Sequence, residues 1–266
     1  MSEVLDYRQQ GAIALLTISR PDMRNALGEA GDGQCFSEIC DRINADRSVR
    51  CVILTGQGSA FSAGGNVKAM RDGLPPFDGA GVHIADGYRR GIHQIVKSLW
   101  GLQVPVIAAV NGPAIGLGND VACLCDMRIA SQKAIFGSTF LKIGLIPGDG
   151  GAWLLPRIIG AARASELLFT GRTIDASMAE AWGLVSQVVA EGELMDKAMA
   201  LAEEIVAQPP EALRAAKRLM RHGQQASFET IMEMSATTQA LMHETQDHSE
   251  AVGAMLDKRT PDYNDK

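Results

Sequence analysis

The fold is decided by two glycine-rich stretches, TGQGSAFSAGGN at residues 55–66 and NGPAIGLGND at residues 111–120. Each follows a short apolar run, at residues 51–54 and 105–110, that is typical of a buried strand. Each also leads into residues with a helical pattern. Glycine lets two backbones approach closely, and the first turn of a helix leaves N–H groups without partners. Two such loops that meet could aim two N–H groups at one oxygen atom, as an oxyanion hole does.

Strand and helix patterns alternate on both sides of these loops and predict an α/β fold with parallel strands. The pattern changes near residue 192, beyond which only helical stretches follow. We therefore predict an α/β region over residues 1–191 that carries the functional site, and a helical region over residues 192–266. The predicted strands are 13–18, 49–54, 106–110, 127–130 and 134–136, the helices are 27–45, 84–100, 116–125, 194–207, 211–222 and 228–243, and residues 73–81 form a loop.

The composition is that of an ordinary globular protein. The chain of 266 residues is 46% hydrophobic and 21% charged, with a formal net charge of −6. This acidic balance argues against nucleic acid as a partner. The first residues lack the features of a signal peptide, and the longest apolar stretch, residues 102–117, is interrupted by polar residues and prolines. We therefore expect neither secretion nor a membrane partner.

The five cysteines are odd in number and show no C-x-x-C spacing. Cys123 and Cys125 lack the second pair or nearby histidine cluster that a zinc site requires, so we expect no metal. Free thiols in a reducing compartment are the simplest interpretation, and they favour a cytoplasmic location.

Neither glycine-rich stretch matches a nucleotide-binding fingerprint. The dinucleotide pattern G-x-G-x-x-G needs glycine or alanine at its last position, which Phe61 and Val121 occupy in the two stretches. The sequence also lacks the G-x-x-x-x-G-K-[ST] pattern of phosphate-binding loops and the G-x-S-x-G turn of α/β-hydrolases.

Several motifs together resemble those of the crotonase (enoyl-CoA hydratase/isomerase) family. Residues 61–68 resemble its F-S-A-G-x-D-x-K pattern, and residues 105–120 resemble P-V-I-A-A-V-N-G-x-A-x-G-G-G-x-E. Segments at residues 20–27, 146–151 and 168–171 also match, in the family's order. The resemblance implies a crotonase-like spiral of β-β-α turns with a helical C-terminal trimerisation region, a homotrimer or dimer of trimers, and an acyl-CoA substrate. It implies no cofactor beyond the coenzyme A of that substrate.

The resemblance also assigns an oxyanion hole. It places the two donors at the backbone N–H groups of Ala63 and Leu117, beside Gly64 and Gly116. A thioester carbonyl gains negative charge when a proton leaves its α-carbon, and two fixed donors would stabilise that enolate. The family often has glycine where Leu117 stands, so leucine is expected to narrow the pocket.

Asp120 stands where many crotonases carry a catalytic glutamate. It follows Leu117 by three residues on the predicted helix, and helical side chains lean toward the N-terminus, here toward the pocket. It is either a catalytic acid/base or a first-turn aspartate favoured by the helix dipole.

Phe140 stands where the family carries a second glutamate. Phenylalanine cannot transfer a proton, so hydration by two carboxylates is placed in doubt, whereas one carboxylate could still move a proton between two carbons. Double-bond isomerisation is therefore favoured over hydration. Hydrolysis of a thioester or of a C–C bond, a non-catalytic CoA-binding pseudoenzyme and an RNA-binding relative stay open, the last disfavoured by the acidic charge.

Asp149 is a candidate replacement acid. Relatives that resemble dienoyl-CoA isomerases carry an aspartate one position earlier. The alternative is that Asp149 is the N-cap of a helix predicted at residues 151–159, since aspartate is a preferred N-cap residue.

Further candidates for substrate binding come from the resemblance. Lys68 would lie along the CoA nucleotide, Lys258 would reach the CoA of a neighbouring subunit, and Arg24 could meet a CoA phosphate. Each of the two lysines could equally be an ordinary solvated side chain. His83 and His93 are expected to be surface residues near the pocket. The full set of candidate substrate-binding residues is Arg24, Ala26, Gly64, Lys68, Gly116, Phe140 and Lys258.

Overall fold

A computed structural model describes residues 4–263, which form two sheets surrounded by helices. The strands are β1 (Leu5–Gln10), β2 (Ile13–Ile18), β3 (Cys51–Gly56), β4 (Val106–Val110), β5 (Ala114–Ile115), β6 (Met127–Ser131), β7 (Ile135–Gly137), β8 (Thr173–Asp175) and β9 (Gln187–Val189). The α-helices are α1 (Asp32–Ala45), α2 (Val67–Arg71), α3 (Gly81–Arg90), α4 (Ile92–Trp100), α5 (Leu117–Leu124), α6 (Gly151–Ile159), α7 (Ala161–Thr170), α8 (Ala176–Trp182), α9 (Leu194–Val206), α10 (Pro210–Gly223), α11 (Phe228–His243) and α12 (Gln246–Asp257). Short 3-10 helices lie at Pro21–Met23, Phe140–Ile143 and Glu191–Glu193.

The larger sheet has strand order β1-β2-β3-β4-β6-β9. β1 and β2 are antiparallel, and the other neighbouring strands of this sheet are parallel. β3 and β4 are adjacent, with Val52 opposite Val106, so they end at the same edge of the sheet. The two glycine-rich stretches follow these strands, and the sheet therefore places them side by side. The predicted parallel α/β arrangement is confirmed.

Strand β3 is buried on both faces, as a central parallel strand must be. Val52 and Leu54 join a large hydrophobic cluster with α1 and α4, whereas Cys51 and Ile53 face a second cluster that α9 covers. Successive side chains of a strand point to opposite faces, so one strand contributes to both cores.

The smaller sheet has strand order β5-β7-β8 and links the second glycine-rich stretch to the later part of the chain. β5 lies inside that stretch and pairs in parallel with β7. Ser62, in the first stretch, forms a bridge with Ala114 of β5. Both loops are thus held by backbone pairing rather than only by side chains.

Four cysteines are buried in the two cores, Cys40, Cys51, Cys123 and Cys125. Burial raises the pKa of each of these thiols to about 12. In this environment they behave as small apolar side chains.

The C-terminal helices differ in how they meet the core. In α10, buried Arg214 donates from Nη2 to the Val49 carbonyl oxygen at 2.9 Å, and buried Lys217 donates from Nζ to that of Val104 at 2.6 Å. α11 has no buried residue, and its Phe228 is 75% exposed. The helical segments beyond residue 192 are present as predicted, and α9 packs on the sheet. The boundary between residues 191 and 192 as a division of the chain stays a prediction.

Two predicted helices differ from those observed. The helix predicted at 27–45 begins only at Asp32, because Gly28 and Gly31 adopt positive φ angles of 94° and 92° that a helix excludes. The helix predicted at 84–100 is divided at Gly91, whose φ of −109° and ψ of −90° are not helical. The chain therefore forms α3 and α4 with a turn between them.

No helix in the described part of the chain is long and apolar enough to cross a membrane. Residues 4–263 also contain no group of three or more His, Cys, Asp or Glu side chains that could hold a metal ion.

Candidate active site

The site forms where three backbone segments meet. Leu27 donates its N–H to the Gly64 carbonyl oxygen at 2.8 Å, which joins the first segment to the second. Ile115 donates to the Ser62 carbonyl oxygen at 3.0 Å, which joins the third segment to the second. Gly64 has a φ of 87°, and a Cβ built on it would overlap the Ile115 carbonyl oxygen. Only glycine therefore allows the two loops to approach this closely.

The first loop offers its free donor at Gly65 rather than at Ala63. The Ala63 N–H already donates to the Arg24 carbonyl oxygen at 2.9 Å, and the Gly64 N–H donates to Ser62 Oγ at 3.2 Å. Among residues 4–263 the Gly65 N–H has no hydrogen-bond acceptor. The structure thus contradicts the choice of Ala63 as a donor, because hydrogen bonding within the loop occupies that N–H.

The second loop places the Leu117 N–H beside the first loop, and its role as a donor stays a prediction. Leu117 is the first residue of α5, where a helical N–H has no partner in its own helix. The Cβ built on Gly64 would lie 3.2 Å from Leu117 N, so the two loops present these backbone groups at one place. Gly116, directly before it, is buried with a φ of 54°, which sets the turn into the helix.

Asp120 lies in the first turn of α5 and is completely buried. Its Oδ2 accepts the backbone N–H of Gly151, the first residue of α6, at 2.9 Å. A Cβ built on Gly151 would overlap the Asp120 carboxyl group. Burial, with the nearby charge of Asp149 adding to it, raises the pKa of Asp120 to about 8. The side chain therefore fastens two helices and holds a proton near neutral pH.

Asp149 precedes α6 and is 4% exposed. Its Oδ1 has no hydrogen-bond partner within the described range. The N-cap of α6 is Gly150 and not Asp149, so the alternative of a capping aspartate is wrong for this structure. Burial raises the pKa of Asp149 to about 6. A buried carboxyl oxygen without a partner is unfavourable for stability. Such groups are frequent at functional sites, where the side chain serves the reaction.

Asp149 opens into a cavity of 430 Å³. Helix α3 and residues 140–148 form most of its walls, and a second cavity of 400 Å³ shares the side chains of Ile84, Tyr88 and Leu145 with it. Tyr88 is half-buried, and burial together with the charge of Asp149 raises the pKa of its hydroxyl. The walls are largely apolar, as expected for a site that accepts an acyl chain.

Phe140 contributes its ring to the same cavity. Its Cζ lies 3.7 Å from the position that a Cβ on Gly116 would take, so the ring lies beside the second backbone donor. An apolar ring thus stands at this point of the site, where the resemblance expected a glutamate.

The remaining candidates lie at different distances from this centre. Arg24 is exposed but joins the site through its carbonyl oxygen, and Ala26 is buried beside it. Lys68 is an exposed residue of α2, close in sequence to Gly65. Lys258 is exposed at the end of α12, and no contact in the described range joins it to the loops. The assignment of both lysines to CoA stays a prediction.

His93 is half-buried rather than a free surface residue. Its Nε2 lies 3.0 Å from the Gly148 carbonyl oxygen, and its ring meets that of Tyr88 edge to face at 5.9 Å. Tyr88 and Gly151 also belong to this site, although neither was predicted from the sequence. Gly151 carried a recognisable signal, since two adjacent glycines follow Asp149 at the start of a helix.

Known proteins of one family match nearly the whole length of this chain. A sequence profile described as enoyl-CoA hydratase/isomerase matches residues 8–266. The chain is 34% identical to the 1,2-epoxyphenylacetyl-CoA isomerase of Escherichia coli K12, over 100% of both proteins. It is also 34% identical to the 2,3-dehydroadipyl-CoA hydratase of the same organism, over 99% of both.

Solved structures give the same answer for the fold. The crystal structure of an enoyl-CoA hydratase from Bacillus anthracis has a TM-score of 0.92 at 33% identity, and the match covers 99% of this chain and 100% of that one. A putative enoyl-CoA hydratase from Streptomyces coelicolor also has a TM-score of 0.92, at 31% identity. The crotonase-like fold expected from the sequence motifs is confirmed. The protein is therefore an enzyme of the enoyl-CoA hydratase/isomerase (crotonase) family, which processes acyl-CoA thioesters.

Proposed function

We propose that this enzyme moves a double bond along the acyl chain of an enoyl-CoA thioester, and that it favours this isomerisation over hydration. The observation that carries the proposal is that two buried carboxyl groups, Asp120 and Asp149, interact electrostatically, and that Asp149 lines a cavity together with the apolar ring of Phe140. No cofactor is needed beyond the coenzyme A of the substrate.

The reaction begins with the thioester carbonyl oxygen between the backbone N–H groups of Gly65 and Leu117. Removal of a proton from the α-carbon leaves an enolate, whose negative charge develops on that oxygen. The two N–H groups are fixed by the loops before the substrate arrives, so little reorganisation is needed as charge develops.

The two carboxyl groups divide the proton transfer. Asp149 has the lower pKa and an oxygen atom without a partner, so it accepts the α-proton. Asp120 holds its proton to higher pH and returns one to the γ-carbon. The electrons of the broken C–H bond form the shifted double bond. The substrate loses one proton at the α-carbon and gains one at the γ-carbon. A proton must then pass from Asp149 to Asp120 before the next cycle.

Phe140 supports isomerisation over hydration. Addition of water requires a base that deprotonates the water while a second group serves the carbon, and an aromatic ring at this position can do neither. The ring also fills space beside Gly116, with its Cζ 3.7 Å from the position that a Cβ on that glycine would take. Thioester hydrolysis requires an activated water in the same way and is disfavoured for the same reason.

Heavy water with a panel of 2-enoyl- and 3-enoyl-CoA thioesters tests the proposal. Mass spectrometry should show interconversion of the double-bond isomers and deuterium at the α-carbon, with hydration much slower. Hydration at tens per second or so, a rate ordinary for enzymes, would contradict the preference for isomerisation. Binding without exchange or turnover would support a CoA-binding pseudoenzyme instead.

The C-terminal helices support a homotrimer or a dimer of trimers. α11 has no buried residue, and exposed apolar side chains continue onto α12, where Met255 is 81% exposed and Leu256 is 78% exposed. Large exposed apolar patches on a globular protein are typical of protein interfaces. Analytical ultracentrifugation at micromolar concentration tests the assembly, and a monomer there would contradict it.

Five free cysteines support a reducing, cytoplasmic location. Fractionation of the source cells, with the protein detected by antibody, tests this location.

A further inference from the structure

One cation on the open side of the site, Arg89, makes no ion pair with any residue that the structure describes. Arg89, on α3, lines the 430 Å³ cavity and is exposed. The next residue, Arg90, pairs with Asp86 at 2.9 Å and does not line that cavity. Within residues 4–263, Arg89 has neither a salt bridge nor a hydrogen bond from its guanidinium group. Two adjacent arginines therefore have different environments, and only one of them faces the acyl cavity.

The geometry of α3 places Arg89 at the end of an apolar face. The residues of this helix that line the cavity are Gly81, Ile84, Ala85, Tyr88 and Arg89. Their spacing of three and four residues puts them on one face of a helix. An acyl chain along this face would meet apolar side chains first and then a guanidinium group.

The charge of Arg89 does not serve to neutralise Asp149, although both residues line the cavity. A guanidinium group within a few ångströms would lower the pKa of the carboxyl group. The pKa of Asp149 is instead raised, and burial is the cause. Arg89 and Asp149 form no ion pair with each other in the described part of the chain, so both groups are available to a ligand.

We propose that the acyl group of the substrate ends in a carboxylate, and that Arg89 binds this carboxylate. The inference rests on the proposed function, because it takes the cavity beside Asp149 as the place of the acyl chain. A guanidinium group donates two parallel hydrogen bonds to a carboxylate, which a methyl end cannot accept. The substrate class is then a CoA thioester of a dicarboxylic acid, with an apolar middle section that matches the cavity walls.

Calorimetry with pairs of saturated acyl-CoA thioesters of equal length tests the inference without requiring turnover. Hexanoyl-CoA is compared with adipyl-CoA, and octanoyl-CoA with suberyl-CoA, because the reach from Asp149 to Arg89 determines the preferred length. We expect about tenfold tighter binding of the carboxylate-ended member in at least one pair, as a charge-assisted hydrogen bond contributes at a partly solvated site. The preference should decrease as the salt concentration rises.

Arg89→Met should remove this preference, and Arg90→Met is the matched control that should keep it. Equal binding within both pairs for the wild-type protein, or a preference that survives Arg89→Met, would overturn the inference. An equal loss for all four thioesters in Arg89→Met would also overturn it, because that result indicates contact with the CoA moiety. Preference for the carboxylate with no α-proton exchange in heavy water would instead contradict the proposed function alone.

Discussion

The two sides of the active site are built in opposite ways. On the enclosed side, formed by α5 and the start of α6, every residue of α5 is buried and Asp120 has no exposed surface. On the open side, formed by α3 and residues 140–148, α3 has no buried residue and Ile146 is 75% exposed. The difference indicates a division of labour. In the proposed mechanism the enclosed side fixes the position and pKa of the proton donor, and the open side, which contributes little to the core, is where the acyl group would lie.

The strongest test of this division is Asp120→Asn. The amide keeps the size of the side chain but cannot donate a proton to the γ-carbon, so isomerisation should fall by about 10²–10⁴-fold. Exchange of the α-proton, which the proposed mechanism assigns to Asp149, should persist. Mass spectrometry of products formed in heavy water measures both. Affinity for the thioester should change only a few-fold.

Asp86→Asn makes the same chemical change on the open side and is the control. It should leave the rate within about twofold, because surface ion pairs contribute little. Loss of equal size in both variants would show that the two sides do not differ in the way described.

The pH dependence of kcat is the next test. The proposed roles require Asp149 ionised and Asp120 protonated, with their pKa values raised to about 6 and about 8. The rate should therefore rise with pH up to about 6 and fall above about 8, by up to tenfold per pH unit beyond each limb. The two limbs belong to the interacting pair rather than to either group alone. A constant rate between pH 5 and 10 would exclude this division of roles.

Gly151→Ala probes how tightly the enclosed side is packed. The new Cβ would overlap the carboxyl group of Asp120, so the α5–α6 contact must open. Added atoms in a packed core typically cost about 1–3 kcal/mol of stability. Thermal unfolding measures this loss, and the isomerisation rate should fall with it. Gly223→Ala, at a site with open space, is the control and should reduce neither the stability nor the isomerisation rate.

Stability should also depend on pH through Asp120. Its pKa is about 8 in the folded protein against an ordinary value of 3.8 for an aspartate in water, so between these values the folded state binds a proton that the unfolded state releases. Stability is therefore lost as pH rises through this window. Asp120→Asn removes this contribution. Between pH 5 and 8 the melting temperature of the variant should therefore fall by at least a few degrees less than that of the wild-type protein. Identical slopes for both proteins would mean that the folded pKa of Asp120 is not raised.

The smallest effect is expected for Ile146→Ser on the open side. Ile146 lines the acyl cavity but is mostly exposed. Stability should change by no more than about 0.5 kcal/mol. Binding of an apolar acyl chain should weaken a few-fold, as measured by calorimetry with octanoyl-CoA. A large loss of stability would show that the open side is part of the folding core.

Much of the fold could be predicted because its determinants are local. Short apolar runs that end in glycine gave the central strands and the loops that follow them, and the observed β3 and β4 are adjacent and parallel as expected. The errors lie where tertiary contacts decide. Nothing in the local pattern of residues 84–100 requires the break at Gly91 that turns α3 away from α4.

The same limit applies to individual residues of the site. The first donor was predicted at Ala63, although three successive N–H groups of this loop are equivalent in sequence until the loop folds. Hydrogen bonds to Arg24 and Ser62 then occupied those of Ala63 and Gly64 and left that of Gly65. Likewise, whether Asp149 capped α6 depended on the φ angle of Gly150, which is 111°. Such choices are made by backbone geometry and cannot be read from residue types.

The buried cysteines have a consequence for a protein that handles enoyl thioesters. These compounds are electrophiles that alkylate thiolates by addition to the double bond. The reactive form of cysteine is the thiolate, and burial raises the pKa of Cys40, Cys51, Cys123 and Cys125 to about 12. At neutral pH only about one in 10⁵ of such thiols is ionised. These four positions are thus chemically protected from the enzyme's own substrates, and the packing that fills the core also preserves the catalyst during turnover.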